Sequence, residues 1–173
     1  GIGRTAAEYL SRSGWRVYAG VRKPEDADEI RDEARNLIPL ILDVTQQVDL
    51  DRAALAIREA LNGRKLDGLV NNAGIASMGP LALQPMADFE AHFKVNTFGL
   101  LRATQAFLPL LGMDETLKGR SGRIINITSV GGRLASPFLG AYTATKHAVE
   151  SMTDSFRREL VIYGIDAIAI GPG

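Results

Sequence analysis

The sequence has no cysteine among its 173 residues, which excludes a disulfide framework and any cysteine-ligated metal site. That absence fits a cytoplasmic setting. Imidazole is nearly as scarce, with only His92 and His147 available. A bias of charge is missing as well: 20 basic residues balance 20 acidic ones, so nothing recommends a nucleic-acid partner or an anionic membrane. No apolar run approaches the ~18 to 20 residues of a membrane-crossing helix, and no basic-then-apolar leader opens the chain. Repeats, low-complexity tracts and linkers are lacking too, which predicts one compact domain over residues 1–173.

What is present is an alternation. Five short β-rich runs stand at Trp15–Val21, Leu37–Asp43, Leu66–Asn71, Arg123–Thr128 and Ile165–Ile170. Most are continuous apolar stretches, as expected for strands buried on both faces of a parallel sheet. Between them the period becomes helical. Ile2, Ala6, Tyr9 and Leu10 form one stripe, and Leu50, Ala54, Ile57 and Leu61 another. A third runs from Phe89 through Phe93, Leu100, Thr104 and Phe107 to Leu111, and a fourth from Thr145 through Val149, Met152 and Phe156 to Tyr163. Glu25–Arg35 is a weaker, charged helix candidate behind Pro24. The polar stretch Gly112–Gly122 reads as a surface loop. Met78, Met86, Met113 and Met152 read as core gap fillers, and His92 and His147 as helix-surface residues. Strand–helix alternation of this kind predicts an α/β fold with a doubly wound parallel sheet and helices on both faces.

The opening GIGRTAAEYL has glycines at the entry to a helix. Glycine lets backbone approach a pyrophosphate, and the free N–H groups of a helix N-terminus favour its charge. Gly-Ile-Gly ahead of a helix is more often only a tight turn. The strand Trp15–Val21 should present a ribose-reading residue at its C-terminal end. An acid there would hold the two hydroxyls of NAD, but Arg22 and Lys23 follow instead. A basic pair suits the extra phosphate of NADP, or is simply a solvated turn. The missing acid favours NADP over NAD.

Further motifs follow in order: LVNNAG with Asn72, Ala73 and Gly74; KVNTFG with Asn96; INITS with Ser129; YTATK with Tyr142 and Lys146; and the closing Pro172-Gly173. Together they resemble the short-chain dehydrogenase/reductase family over essentially the whole chain. A lone Tyr-x-x-x-Lys says little, whereas the ordered set with Ser129 upstream of Tyr142 is specific. The resemblance implies a Rossmann-type fold binding NAD or NADP. It implies that Gly1, Ile2 and Gly3 end the phosphate-binding turn and that Asp43 touches the adenine ring, with Val44 contributing backbone. It implies that Asn72, Ala73 and Gly74 line the adenosine ribose, and that Asn96, Ser129, Tyr142 and Lys146 form a catalytic tetrad.

The residue types suit that chemistry. Reducing a ketone needs hydride at carbon, supplied by a nicotinamide, and a proton at oxygen, supplied by the protein. A phenol, with a reference pKa near ~10, is a poor base at neutral pH until a nearby ammonium favours its anion. Positions i and i+4 of a helix share a face, which brings Lys146 within reach of Tyr142. Ser129, just past a strand end, can donate to the substrate oxygen as charge develops. Asn96 is unfavourable inside a helix by propensity. Without the resemblance it reads as a surface polar residue; with it, as the residue that distorts its helix and holds a proton-relaying water.

Measured against the family, the first strand before Gly1 and the substrate region after Gly173 are lacking, and Met113–Arg120 reads as an insertion. The expectation is therefore a partial chain of an enzyme of ~250 residues, in which two buried strands lose a neighbour. The expected function is interconversion of a secondary alcohol and a ketone, as a homodimer or homotetramer. A non-catalytic dinucleotide-binding or assembly protein is the alternative, and an epimerase or dehydratase a third reading.

Overall fold

The computed structural model describes residues 1–31 and 36–173. Every strand falls inside a run that predicted it: β1 (Val17–Val21), β2 (Leu37–Ile41), β3 (Gly68–Asn71), β4 (Arg123–Ile127) and β5 (Asp166–Ile170). The main helices are α1 (Ile2–Arg12), α2 (Pro24–Ile30), α3 (Gln47–Leu61), α4 (Met86–Phe93), α5 (Leu100–Leu108) and α6 (Gly140–Glu159). The charged helix predicted over Glu25–Arg35 is present as α2, and the end of that range lies outside the described residues.

All pairings are parallel. In one sheet β1 lies beside β2, with Val17 opposite Leu37; in a second, β4 sits between β3 and β5, with Ile124 opposite Leu69 and Ala167. Among the described residues no strand joins the two sheets, so β1 and β3 each keep an open edge.

That split corrects the expectation of strands buried on both faces. Ile38, Ile41, Val70, Ile168 and Ile170 are exposed, and only the central strand β4 buries its alternate side chains Ile124 and Asn126 fully.

The core gathers around the second sheet. Leu50, Ala53 and Ile57 of α3 meet Leu100, Ala103 and Phe107 of α5, and Val149 and Phe156 of α6 close over Ile124 and Ala167. Each large side chain so buried contributes roughly 1.5–3 kcal/mol. Two predicted features change. Within Gly112–Gly122, Leu117 is buried in this core, and Lys118 exchanges backbone hydrogen bonds of 2.8 and 2.9 Å with Gly63 and Lys65. One apolar anchor converts a polar loop into a strap. Conversely, Ile2 and Tyr9 of the α1 stripe are exposed, Tyr9 to 70%. With Gly1, Thr5 and Ala6 they line an open concave face of ≈ 590 Å³. Of the methionines only Met152 packs against the core, while Met78, Met86 and Met113 are exposed. No described helix is long and apolar enough to cross a membrane.

Candidate active site

Parallel strands of one sheet deliver their C-terminal ends to one edge, and many of the predicted site residues directly follow such an end. Arg22 follows β1, Asp43 and Val44 follow β2, Asn72–Gly74 follow β3, Ser129 follows β4, and Pro172 follows β5.

Three of the residues expected to be catalytic gather past β4. Ser129 is in extended backbone, and its Oγ accepts a hydrogen bond from Gly131 N at 3.1 Å. Its own hydroxyl hydrogen is therefore free to point elsewhere. A Cβ on Gly131 would lie 3.4 Å from the Tyr142 ring and 3.5 Å from Ser129 Oγ, so the phenol edge and the serine flank one residue too small to separate them. Lys146 Nζ lies 5.6 Å from the centre of the Tyr142 ring, as the one-turn spacing on α6 predicts. Lys146 is buried, and its ammonium donates to the carbonyl of Ile127 at 2.8 Å. Among the described residues no carboxylate pairs with it, and burial lowers its pKa below the ordinary 10.5. One carbonyl leaves the ammonium donors to spare.

Asn96 is not at the surface, as its type alone suggests, but 1% exposed. It sits in a π-helical turn, Lys94–Gly99, between α4 and α5. The distortion implied by the resemblance is therefore present, and such turns recur at functional sites. Its amide reaches across to the backbone of Ile75, accepting from N at 2.8 Å and donating to O at 2.9 Å. It also donates to Thr145 Oγ1 at 3.0 Å, and that hydroxyl donates to the carbonyl of Tyr142 at 2.6 Å. Asn96 thus joins the β3 turn to the helix carrying Tyr142.

The residues assigned to nucleotide binding meet in two places. Gly3 lies against Asn72: a Cβ on Gly3 would come within 2.5 Å of Asn72 Nδ2. Helix α1 starts at Ile2 with Gly1 as its N-cap residue, and a helix N-terminus favours an anion. At the second place Thr45 N donates to Asp43 Oδ1 at 2.8 Å, and this bond chiefly holds the carboxyl below its ordinary 3.8, with smaller help from Arg22 and Lys94. Arg22 itself is exposed. Val44 packs on Gly99 of the π turn, where a Cβ would come within 2.7 Å of its methyl group. Gly74 approaches the Asn96 amide, Ala73 is exposed, and Pro172 O accepts from Val130 N at 3.0 Å beside Ser129.

His92 corrects a second surface assignment. It is 2% exposed, with Nδ1 2.7 Å from Asp88 O and Nε2 accepting from Ser77 N at 3.0 Å. The legible signal was its position one turn before Asn96, on the same helix face. His147 does lie at the surface. Thr145 was read only as core, yet its hydroxyl links Asn96 to Tyr142. Beneath the site, Asn71 Nδ2 donates to Thr104 Oγ1 and Asn126 Oδ1 at 3.0 and 2.9 Å, and Asn126 Nδ2 to Thr153 Oγ1 at 2.8 Å. That buried network pins β3 to β4 where the reactive ends emerge.

The family model for short chain dehydrogenases matches residues 1–173. An NADPH-dependent 3-dehydrocapnine reductase from Ornithobacterium rhinotracheale is 37% identical over 174 residues, covering 100% of this chain and 61% of that protein. Retinol dehydrogenase 16 from Mus musculus is 37% identical over 175 residues and is covered over 53% of its length. The chain thus spans between half and two thirds of these relatives. Among solved structures, ElxO with NADP bound superposes with a TM-score of 0.90 at 27% identity, covering 100% of this chain and 69% of that one. A gluconate 5-dehydrogenase from Burkholderia cenocepacia in complex with NADP and tartrate gives 0.85 at 32% identity, covering 100% and 67%.

Proposed function

We propose a function from one established premise: the chain belongs to the short chain dehydrogenase family. On that premise it serves an oxidoreductase that interconverts a secondary alcohol and a ketone, using NADP in preference to NAD. The observation that carries this reading is the grouping of Ser129, Tyr142 and Lys146 beyond the end of β4.

The residues present fit a dinucleotide. The N-terminus of α1 and the side-chain-free Gly3 suit its phosphates, Asp43 and Asn72–Gly74 its adenosine, and the spare donors of Lys146 the hydroxyls of its second ribose. Exposed Arg22, with no acid at the end of β1, favours a 2′-phosphate, hence NADP. The NADPH dependence in the name of the 3-dehydrocapnine reductase and the NADP held by ElxO support that preference.

When bound, the nicotinamide supplies hydride to the substrate carbon or removes it. The rest falls to side chains. Tyr142 gives its hydroxyl proton to the substrate oxygen in reduction and takes it back in oxidation. The Lys146 ammonium stabilises negative charge on the phenol as that proton leaves. Ser129 donates to the same substrate oxygen. Asn96 acts through others, holding the Ile75 backbone and, through Thr145, the first turns of α6. A homodimer or homotetramer in the cytoplasm completes the proposal.

The test is NADPH consumption by the protein at its natural full length, followed through cofactor absorbance with a broad panel of ketones. Turnover that needs both ketone and NADPH is expected. Tight NADPH binding with no turnover across the panel would replace this reading by a non-catalytic dinucleotide-binding protein.

A further inference from the structure

Two segments flanking the candidate active site carry large apolar side chains that stay open to solvent although their backbones are held in place. Met78 and Leu81, beyond the Asn72–Gly74 turn, are both exposed. The residue before Met78 is pinned, since Ser77 N donates to the buried His92 at 3.0 Å. Gly79 N donates to the carbonyl of Phe138 at 2.8 Å, stitching this segment to the one that precedes α6. A Cβ on Gly140 would come within 2.9 Å of the Leu81 side chain, so Leu81 lies over the first turn of α6, beside Tyr142 in sequence. Val130 follows Ser129 directly and is also exposed.

Phe138 is the outlier of the set. Its φ of 65° is left-handed, a conformation that glycine and asparagine take easily and a bulky aromatic does not. Its side chain is 57% exposed, so packing within the chain does not offset the strain. Strain kept at an exposed aromatic beside reactive groups points to a contact with a ligand. The chemistry of that ligand follows from composition. Residues 76–81 and 134–141 contain no charged side chain, and the neighbouring Arg133 is tied to Glu150 at 3.1 Å.

We propose that Met78, Leu81, Val130 and Phe138 form an apolar collar that binds the hydrocarbon body of the substrate. The substrate is then an alcohol or ketone carried on a long alkyl chain or a fused-ring skeleton, not a polar or anionic sugar derivative. This rests on the oxidoreductase reading above and adds the substrate class to it.

The experiment uses the natural full-length protein with NADPH and methyl ketones of rising chain length, from butanone upward. It measures kcat/KM, ketone binding by calorimetry, and thermal stability for wild type and Phe138→Gly. The expected kcat/KM rises on the order of twofold to fourfold per added methylene until the collar is filled. Phe138→Gly should lower it about tenfold for the longest ketones, with the loss shrinking toward butanone. The glycine relieves the left-handed strain, so the thermal midpoint should stay level or rise. A kcat/KM that does not change with chain length overturns the collar and leaves the oxidoreductase reading intact. A marked fall in thermal midpoint with an unchanged chain-length slope also overturns it, and assigns these side chains to contacts within the protein. Binding of long ketones without turnover of any ketone keeps the collar and defeats the oxidoreductase reading. Neither binding nor turnover defeats both.

Discussion

Around β3, β4 and β5 the helices bury Leu111, Ile124, Val149 and Phe156 in one core, and the polar groups beneath the site are bonded to one another. Around β1 and β2 the same strand–helix alternation leaves Ile2, Tyr9, Trp15 and Ile38 in solvent. Both regions are written in the same apolar code. Among the described residues the second sheet has a central strand, β4, with a neighbour on each side, whereas β1 and β2 pair only with each other. The difference divides the proposed site residues too. Ser129, Tyr142 and Lys146 stand on the well-packed side, while Gly1–Gly3 and Arg22 stand on the open one. The regions meet where small residues allow it, Gly3 against Asn72 and Gly99 against Val44.

The contrast can be broken at its functional end first. In the full-length protein Tyr142→Phe should lower turnover by about 10²–10⁴-fold, the usual worth of a positioned acid–base group, while NADPH binding measured by fluorescence persists. Equal losses of binding and turnover would show that Tyr142 serves the cofactor side instead. Next in size, Leu111→Ala on the packed side should cost about 2–5 kcal/mol in urea unfolding. Gly99→Ala tests the seam: its methyl would collide with Val44 and cost roughly 1–3 kcal/mol, and adding Val44→Ala should return most of that. Lys146 supplies a pH signature. Its pKa is lowered in the fold, so between that lowered value and 10.5 the unfolded chain binds more protons. Stability should therefore rise with pH through that window, and Lys146→Met should remove the rise in a series of denaturant titrations. The smallest effect belongs to the open side, where Tyr9→Ser on α1 should move stability by no more than about 0.5 kcal/mol. A larger loss would mean that the α1 face is covered in the full-length protein.

Much of this was legible along the chain. Strand and helix periods placed all five strands, and the order of motifs named the residues that gather at the strand ends. Where reading failed, the cause was spatial. Asn96 and His92 look like solvated polar residues one at a time, because nothing local shows that Ile75 and Ser77 will fold back across them. Leu117 looks like a stray apolar residue in a polar loop until Gly63 and Lys65 bond to the backbone beside it. The strain at Phe138 has no signal in residue type at all.

The sequence by itself determined the period of each element, the alternation of strand and helix, and the one-turn spacing that puts Lys146 beside Tyr142, because these depend on backbone geometry within a few residues. Only the tertiary structure decided which apolar stripes find a partner, which polar groups are buried, and which glycines serve as points of close approach. Those outcomes depend on which surfaces meet, and that is a property of neighbours distant in the chain.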